Sequence, residues 1–207
     1  MFYFLESPAT LILLLLNLLV SGLALFQDPS LVGRLAFVPH RILKEREYYR
    51  LFTAGFVHVS LGHLAFNMLT LYFFGPELER LLGTGRFVIL YVGSELAAHA
   101  LSLVIHRDSV DYSAVGASGA ISGVLFAFCL FRPFDKILLF GVVPMWSIVF
   151  AVGYVVLSVY AINQRQKGRD AGRIAHEAHL GGALGGLLLT ILLEPRALEI
   201  FLRQLGF

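Results

Sequence analysis

Six apolar runs divide the chain, near residues 8–26, 62–80, 86–106, 116–133, 136–162 and 176–194. Each approaches the roughly 17–25 residues a helix needs to cross a bilayer, although the fourth is short for a crossing. Lipid offers no hydrogen bonds, so such a segment must satisfy its backbone internally, as a helix does. The expected fold class is an all-α polytopic membrane protein, a bundle of six transmembrane helices. With 57% hydrophobic and 14% charged residues, and a mean hydropathy of +0.77, the chain is not an ordinary soluble domain. Its 207 residues are read as one membrane domain over 1–207.

The long connection, 27–61, mixes Pro29 and Pro39 with basic residues and the aromatics Phe37, Tyr48, Tyr49, Phe52 and Phe56. Aromatic and basic residues together favour the membrane–water interface, so 27–61 is expected to be a structured interfacial loop with short helices. Met1 to Thr10 carries no Lys or Arg. The first run therefore lacks the charged start of a secretory signal and reads as a retained span. The polar stretch Asn163 to Arg173 reads as a flexible connection, and Pro195 as the end of the last span. Cys129 is the single cysteine, so no internal disulfide forms, and a net charge of +2 implies no nucleic-acid partner.

Counting crossings places the chemistry. Runs two, four and six point the same way, so His58, His63, Asn67, Ser118 and His179, all near the starts of those runs, lie toward one leaflet. Ser118 follows Gly116, where the chain can turn tightly, and its amide lies at the positive end of a helix, which favours an oxyanion. Gly119 and Gly123 are four apart, as are Gly181 and Gly185, and Gly182 and Gly186. Such faces let helices approach closely, which would bring Ser118 and His179 together as a nucleophile and its base. The plainer alternative is that the glycines only pack helices. His63 and Asn67 share a helical face and are candidate oxyanion donors, with a structural pair as the alternative. His58 is read as packing beneath them.

Other polar clusters suggest less. Glu95 and His99, four apart in the third run, are expected to bond each other or face the bundle interior. As a proton relay they would make the chain a solute transporter instead. His176-Glu177-Ala178-His179 has its histidines three apart rather than four, which does not fit the zinc protease motif. No metal and no cofactor are expected.

Taken together, several strings resemble the rhomboid intramembrane serine proteases across nearly the whole chain. They are Tyr49-Arg50-Leu51-Phe52-Thr53, His58 through His63 to Asn67, Glu79 through Gly83-Thr84-Gly85, Gly116-Ala117-Ser118-Gly119 and Ala178-His179-Leu180-Gly181-Gly182. The resemblance implies a rhomboid-like six-helix core with no extra helix. It also implies a Ser118–His179 dyad and an oxyanion hole from the Ser118 amide, His63 and Asn67. The substrates would be transmembrane proteins cleaved near the membrane surface, with membrane lipids as surroundings. Gly116, Gly119, His58 and Arg50 become structural or substrate-binding candidates, and Trp146 and Phe150 gate candidates in the fifth span. The rival within the same fold is a non-catalytic protein that binds transmembrane helices. Oligomeric state is left open.

Orientation is in conflict. Of the sixteen Lys and Arg, the connections outside a cytoplasmic N-terminus carry ten, against the positive-inside rule. The resemblance implies that cytoplasmic N-terminus and a site toward the outer face; small size and the lack of a presequence point to a prokaryotic plasma (inner) membrane. Three departures stand out: Tyr49 where the family often has Trp, Glu79-Arg80-Leu81 in place of Glu-x-Arg, and Ser122 where some relatives stack a Tyr on the catalytic imidazole.

Overall fold

Pro8 starts the first helix, α1 (Pro8–Phe26), where its fixed φ suits N1 and its missing amide costs nothing. The computed structural model describes residues 6–139, 141–166 and 175–207. The α1 N-cap, Ser7, makes no side-chain cap bond. The cap comes instead from Glu79, whose carboxylate accepts from Ala9 N (3.0 Å), Thr10 N (2.8 Å) and Thr10 Oγ1 (2.8 Å).

The connection that follows holds three short helices, α2 (Ser30–Leu35), α3 (Pro39–Lys44) and α4 (Arg50–Thr53), then a 3₁₀ turn over Ala54–Phe56. Arg50 holds them together. Its buried guanidinium donates to Gly33 O (3.0 Å), Ala36 O (2.8 Å) and Glu47 Oε2 (2.5 Å). That bond from Arg50 keeps the Glu47 carboxyl below the usual carboxylate range. Phe37 pairs in antiparallel fashion with Ala114 and packs with Ile42 and Ala54. The interfacial segment is thereby tied to the connection before Ser118.

Helix α5 (Leu61–Leu82) carries its own cap, with Ser60 accepting from His63 N at 3.2 Å. Gly83, at φ +79°, turns the chain into α6 (Thr84–His106). Arg80 pairs with Glu77 at 2.8 Å, leaving Glu79 for α1 and for Thr84 Oγ1 at 2.9 Å.

Helix α7 (Ser118–Phe131) has only 14 residues, about 21 Å at 1.5 Å per residue. The fifth segment departs from the all-α expectation. Strand β1 (Lys136–Leu139) pairs antiparallel with β2 (Val143–Trp146), with Lys136 opposite Trp146. Gly141 at φ +75° lies between them, and Pro144 disfavours a helix there. Helix α8 (Ser147–Gln166) begins only afterwards, so Trp146 is a strand residue. Asn163–Gln166 belong to α8; the rest of the connection expected to be flexible lies outside the described residues. Helix α9 (His176–Leu193) is followed, past Pro195, by a short amphipathic helix, α10 (Arg196–Gln204), which the expected core lacks. Gln204 Nε2 donates to Phe131 O at the end of α7 (3.0 Å).

Four of these helices, α1, α6, α8 and α9, are long and apolar enough to cross a membrane, and a fifth if α4 with its 3₁₀ turn and α5 count as one span bent by 94°. Helix α7 is apolar but shorter. The chain is a polytopic helical membrane protein.

Helices α6, α7 and α9 pack through the glycine faces. A Cβ at Gly182 would run into the Gly119 carbonyl oxygen, and one at Gly186 into Gly123 Cα. The other face of α9 meets α6, where a Cβ at Gly181 would lie 2.8 Å from Ala97 O. Obstructing backbone cannot step aside as a side chain can. Gly186→Ala should therefore cost about 1–3 kcal/mol in thermal or denaturant unfolding in detergent. Gly153→Ala, with nothing within 4 Å on α8, should gain up to ~1 kcal/mol.

Candidate active site

The glycine seam sets two polar side chains face to face. Ser118 is the first residue of α7 and His179 lies in the first turn of α9. His179 Nε2 is 2.7 Å from Ser118 Oγ. An imidazole nitrogen there can accept the serine proton, the geometry a base needs toward a nucleophile.

Beside this pair the chain turns at Gly116, φ +110°. A Cβ there would be strained, and would lie 2.8 Å from His63 Nε2. Glycine thus lets the His63 ring lie against the backbone just before Ser118. Gly119 is required for a different reason: a Cβ there would lie 2.6 Å from Ala98 Cβ and 2.8 Å from Glu95 Oε2 on α6.

His58 is the buried hub beneath. Its Nε2 faces Asn67 Nδ2 at 3.0 Å and Ala117 N at 3.4 Å, and its Nδ1 faces Ser21 Oγ at 2.8 Å. Amide nitrogens only donate, so Nε2 is the acceptor and Nδ1 carries the hydrogen. Ser21 Oγ accepts that hydrogen and donates to Phe56 O at 3.0 Å. One neutral imidazole therefore joins α1, the interfacial segment, α5 and the approach to α7. Asn67 gives one amide hydrogen to His58 and keeps a second. The His58 and His63 rings meet edge-on, centroids 4.9 Å apart.

The structure gathers His58, His63, Asn67, Gly116, Ser118 and His179 at one end of the bundle. Arg50 stands apart, holding the interfacial segment. Trp146 is exposed on β2, and Phe150 is half-buried on α8, its ring 5.5 Å from that of Tyr154.

Tyr154 is the residue that sequence reasoning missed. Its ring is roughly parallel to His179, centroids 6.3 Å apart and 27° between planes. Its hydroxyl lies 2.7 Å from Ser122 Oγ. Ser122 spends its one hydrogen on Ser118 O at 2.8 Å, so the phenol must donate to Ser122. The aromatic neighbour of the imidazole thus comes from α8, while Ser122 anchors it. A tyrosine inside an apolar run carried no signal by itself. Tyr112 and His106 were missed too. Their stacked rings, 3.7 Å apart, both reach Glu177 Oε1, at 2.7 Å and 3.0 Å, and hold the first turn of α9. Among the described residues no group of three or more His, Cys, Asp or Glu is arranged to hold a metal ion.

The sequence matches the Rhomboid domain over residues 45–196, a stretch containing every residue gathered at the site except Ser21. It is 36% identical over 146 residues to YdcA of Bacillus subtilis, covering 70% of this chain and 67% of that protein. It is 31% identical over 193 residues to the mitochondrial Rhomboid protein 1 of Saccharomyces cerevisiae, covering 90% and 54%. With the Rhomboid protease GluP of Bacillus subtilis it shares 29% over 157 residues, covering 75% and 28%. The match thus spans about half of the yeast protein and less than a third of GluP. On both the domain match and these identities, the chain belongs to the rhomboid family.

Proposed function

We propose that the chain is an intramembrane serine endopeptidase in which Ser118 is the nucleophile and His179 the general base. The 2.7 Å approach of His179 Nε2 to Ser118 Oγ carries this reading. A serine hydroxyl is a poor nucleophile until a base is placed to take its proton.

As Ser118 Oγ bonds to the scissile carbonyl carbon, its proton moves to His179 Nε2. Charge gathers on the former carbonyl oxygen, where the Ser118 amide, His63 and the spare Asn67 hydrogen receive it. His179 then gives its proton to the departing amine as the C–N bond breaks. A water, deprotonated by His179, then attacks the acyl carbon, and His179 returns the proton to Ser118 Oγ as the ester C–O bond breaks. No cofactor enters.

The substrates are transmembrane proteins, and membrane lipids are the enzyme's surroundings. A helical substrate must unwind locally, because its peptide groups are engaged in their own hydrogen bonds. Counting the bent pair as one span and α7 as a short one gives six crossings. With Arg132, paired to Glu77 at 3.3 Å, near the far surface, a ~21 Å helix leaves Ser118 roughly 10 Å below the near one. The N-terminus is cytoplasmic and the membrane the plasma membrane of a prokaryote.

Helix α8, the least buried of the long helices, is the side of entry, with Trp146 and Phe150 as its gate. Ala at both positions should change turnover of a transmembrane substrate while leaving labelling by a small fluorophosphonate unchanged.

Fluorophosphonate labelling in mild detergent and cleavage of a transmembrane substrate in liposomes test the dyad. Ser118→Ala and His179→Ala should each abolish labelling and lower cleavage by about a thousandfold or more. Full cleavage by Ser118→Ala would end the reading. Tyr154→Ala should slow labelling roughly 2- to 10-fold through loss of the ring beside His179, and Tyr154→Phe, which keeps the ring, by less.

A further inference from the structure

Glu95 and His99 have no part in the chemistry above, yet both are buried in the middle of α6. A carboxyl group at that depth is costly unless fully partnered. Glu95 Oε2 accepts from Ala120 N at 2.7 Å, and Glu95 Oε1 lies 3.4 Å from His99 Nε2. His99 Nδ1 faces Leu51 O at 2.9 Å, and its ring stacks on Phe37, 4.5 Å between centroids.

Proton bookkeeping fixes what this pair offers. Leu51 O can only accept, so His99 Nδ1 carries a hydrogen. A buried pair left with net charge is penalised, so one further proton resides on Glu95 Oε1 or on His99 Nε2. In either arrangement Oε2 stays a bare acceptor toward Ala120.

Ala120 is the third residue of α7, and Ser118 the first. The amides of a first helical turn need acceptors from outside the helix. Ala117, at the N-cap, has no side-chain oxygen to give and makes no cap bond. The space around the carboxyl group is kept clear for this purpose. A Cβ at Gly119 would lie 2.8 Å from Glu95 Oε2, and one at Gly55 would lie 3.0 Å from Glu95 Oε1.

We propose that Glu95 is a positioning residue for Ser118: from α6 it supplies the cap that α7 lacks, and so sets how the first turn presents the serine hydroxyl and amide. His99 ties that cap to Leu51 and Phe37 of the interfacial segment. The inference rests on Ser118 being the nucleophile.

The test is the rate constant of fluorophosphonate labelling per folded molecule, with kcat and KM for a transmembrane substrate in liposomes and the melting temperature. Glu95→Leu should label about tenfold more slowly and lose kcat in proportion, with KM held within about twofold. Glu95→Gln keeps an acceptor for Ala120 N and offers a donor to His99, and should recover most of the rate. A purely structural Glu95 would instead lower the melting temperature and yield of Glu95→Leu while its folded fraction reacted at the native rate. That result, with Ser118→Ala unlabelled, overturns the proposal and leaves the dyad standing; labelling of Ser118→Ala would overturn the dyad itself. Glu95→Met replaces the leucine variant if that one does not fold. If neither folds, Glu95→Gln decides: a tenfold or greater loss at native melting temperature overturns the cap role, because the acceptor is intact, and a rate near native supports it.

Discussion

Each helix inside a bilayer begins with amides that neither the helix nor the lipid can satisfy. Here two of the helices that matter most, α1 and α7, begin without a side-chain cap of their own. Each is completed by a buried glutamate of a neighbouring helix, Glu79 from α5 and Glu95 from α6. The carboxyl groups are therefore not stray charges in an apolar bundle. They are the terms on which these helices can start where they do. Since the cap of α7 comes from across the interface, its own first residues are free for other work: Gly116 for the turn, Ala117 for His58, Ser118 for His179.

The approach of Ser118 to His179 depends on backbone more than on side chains. Gly182 meets the Gly119 carbonyl and Gly186 meets Gly123, so the separation of α7 and α9 is set where nothing can change rotamer. Tyr154, fastened through Ser122 to the Ser118 carbonyl, then lies along the imidazole from the third side. On the proposed reading, a base without an acidic third member is held by two glycine contacts, one aromatic ring and the Glu177 cluster at the start of its helix.

Much of this was legible in the sequence. Apolar length located α1, α5, α6 and α9 to within two residues at each end, because burial in lipid leaves a composition signal that needs no partner, but it started the fifth run eleven residues before α8. The Gly182/Gly186 pair foretold the α7–α9 seam, whereas Gly181 and Gly185 turn to α6. What stayed hidden depends on partners far apart in sequence. Tyr154 was one aromatic among many in an apolar run, and only its contacts with Ser122 and His179 distinguish it. The β1–β2 pair was absorbed into a span, although Gly141 and Pro144 argue against a helix there. His58 was expected beneath the site, but its three-way role follows from Ser21 and Ala117, one 37 residues before it and one 59 after. Arg50, a structural or substrate-binding candidate by resemblance, organises the interfacial segment, through contacts that its own position in the sequence does not reveal.

The Glu79 latch also says something about how the protein is made. Thr10 and its partner carboxylate are 69 residues apart, so α1 enters the membrane well before the group that satisfies its first turn has been synthesised. Until α5 arrives, those amides must borrow partners from the headgroup region. Docking of α1 thus waits on α5 and the arrival of a single acidic side chain, and the helix stays unlatched until that later part of the chain has joined it.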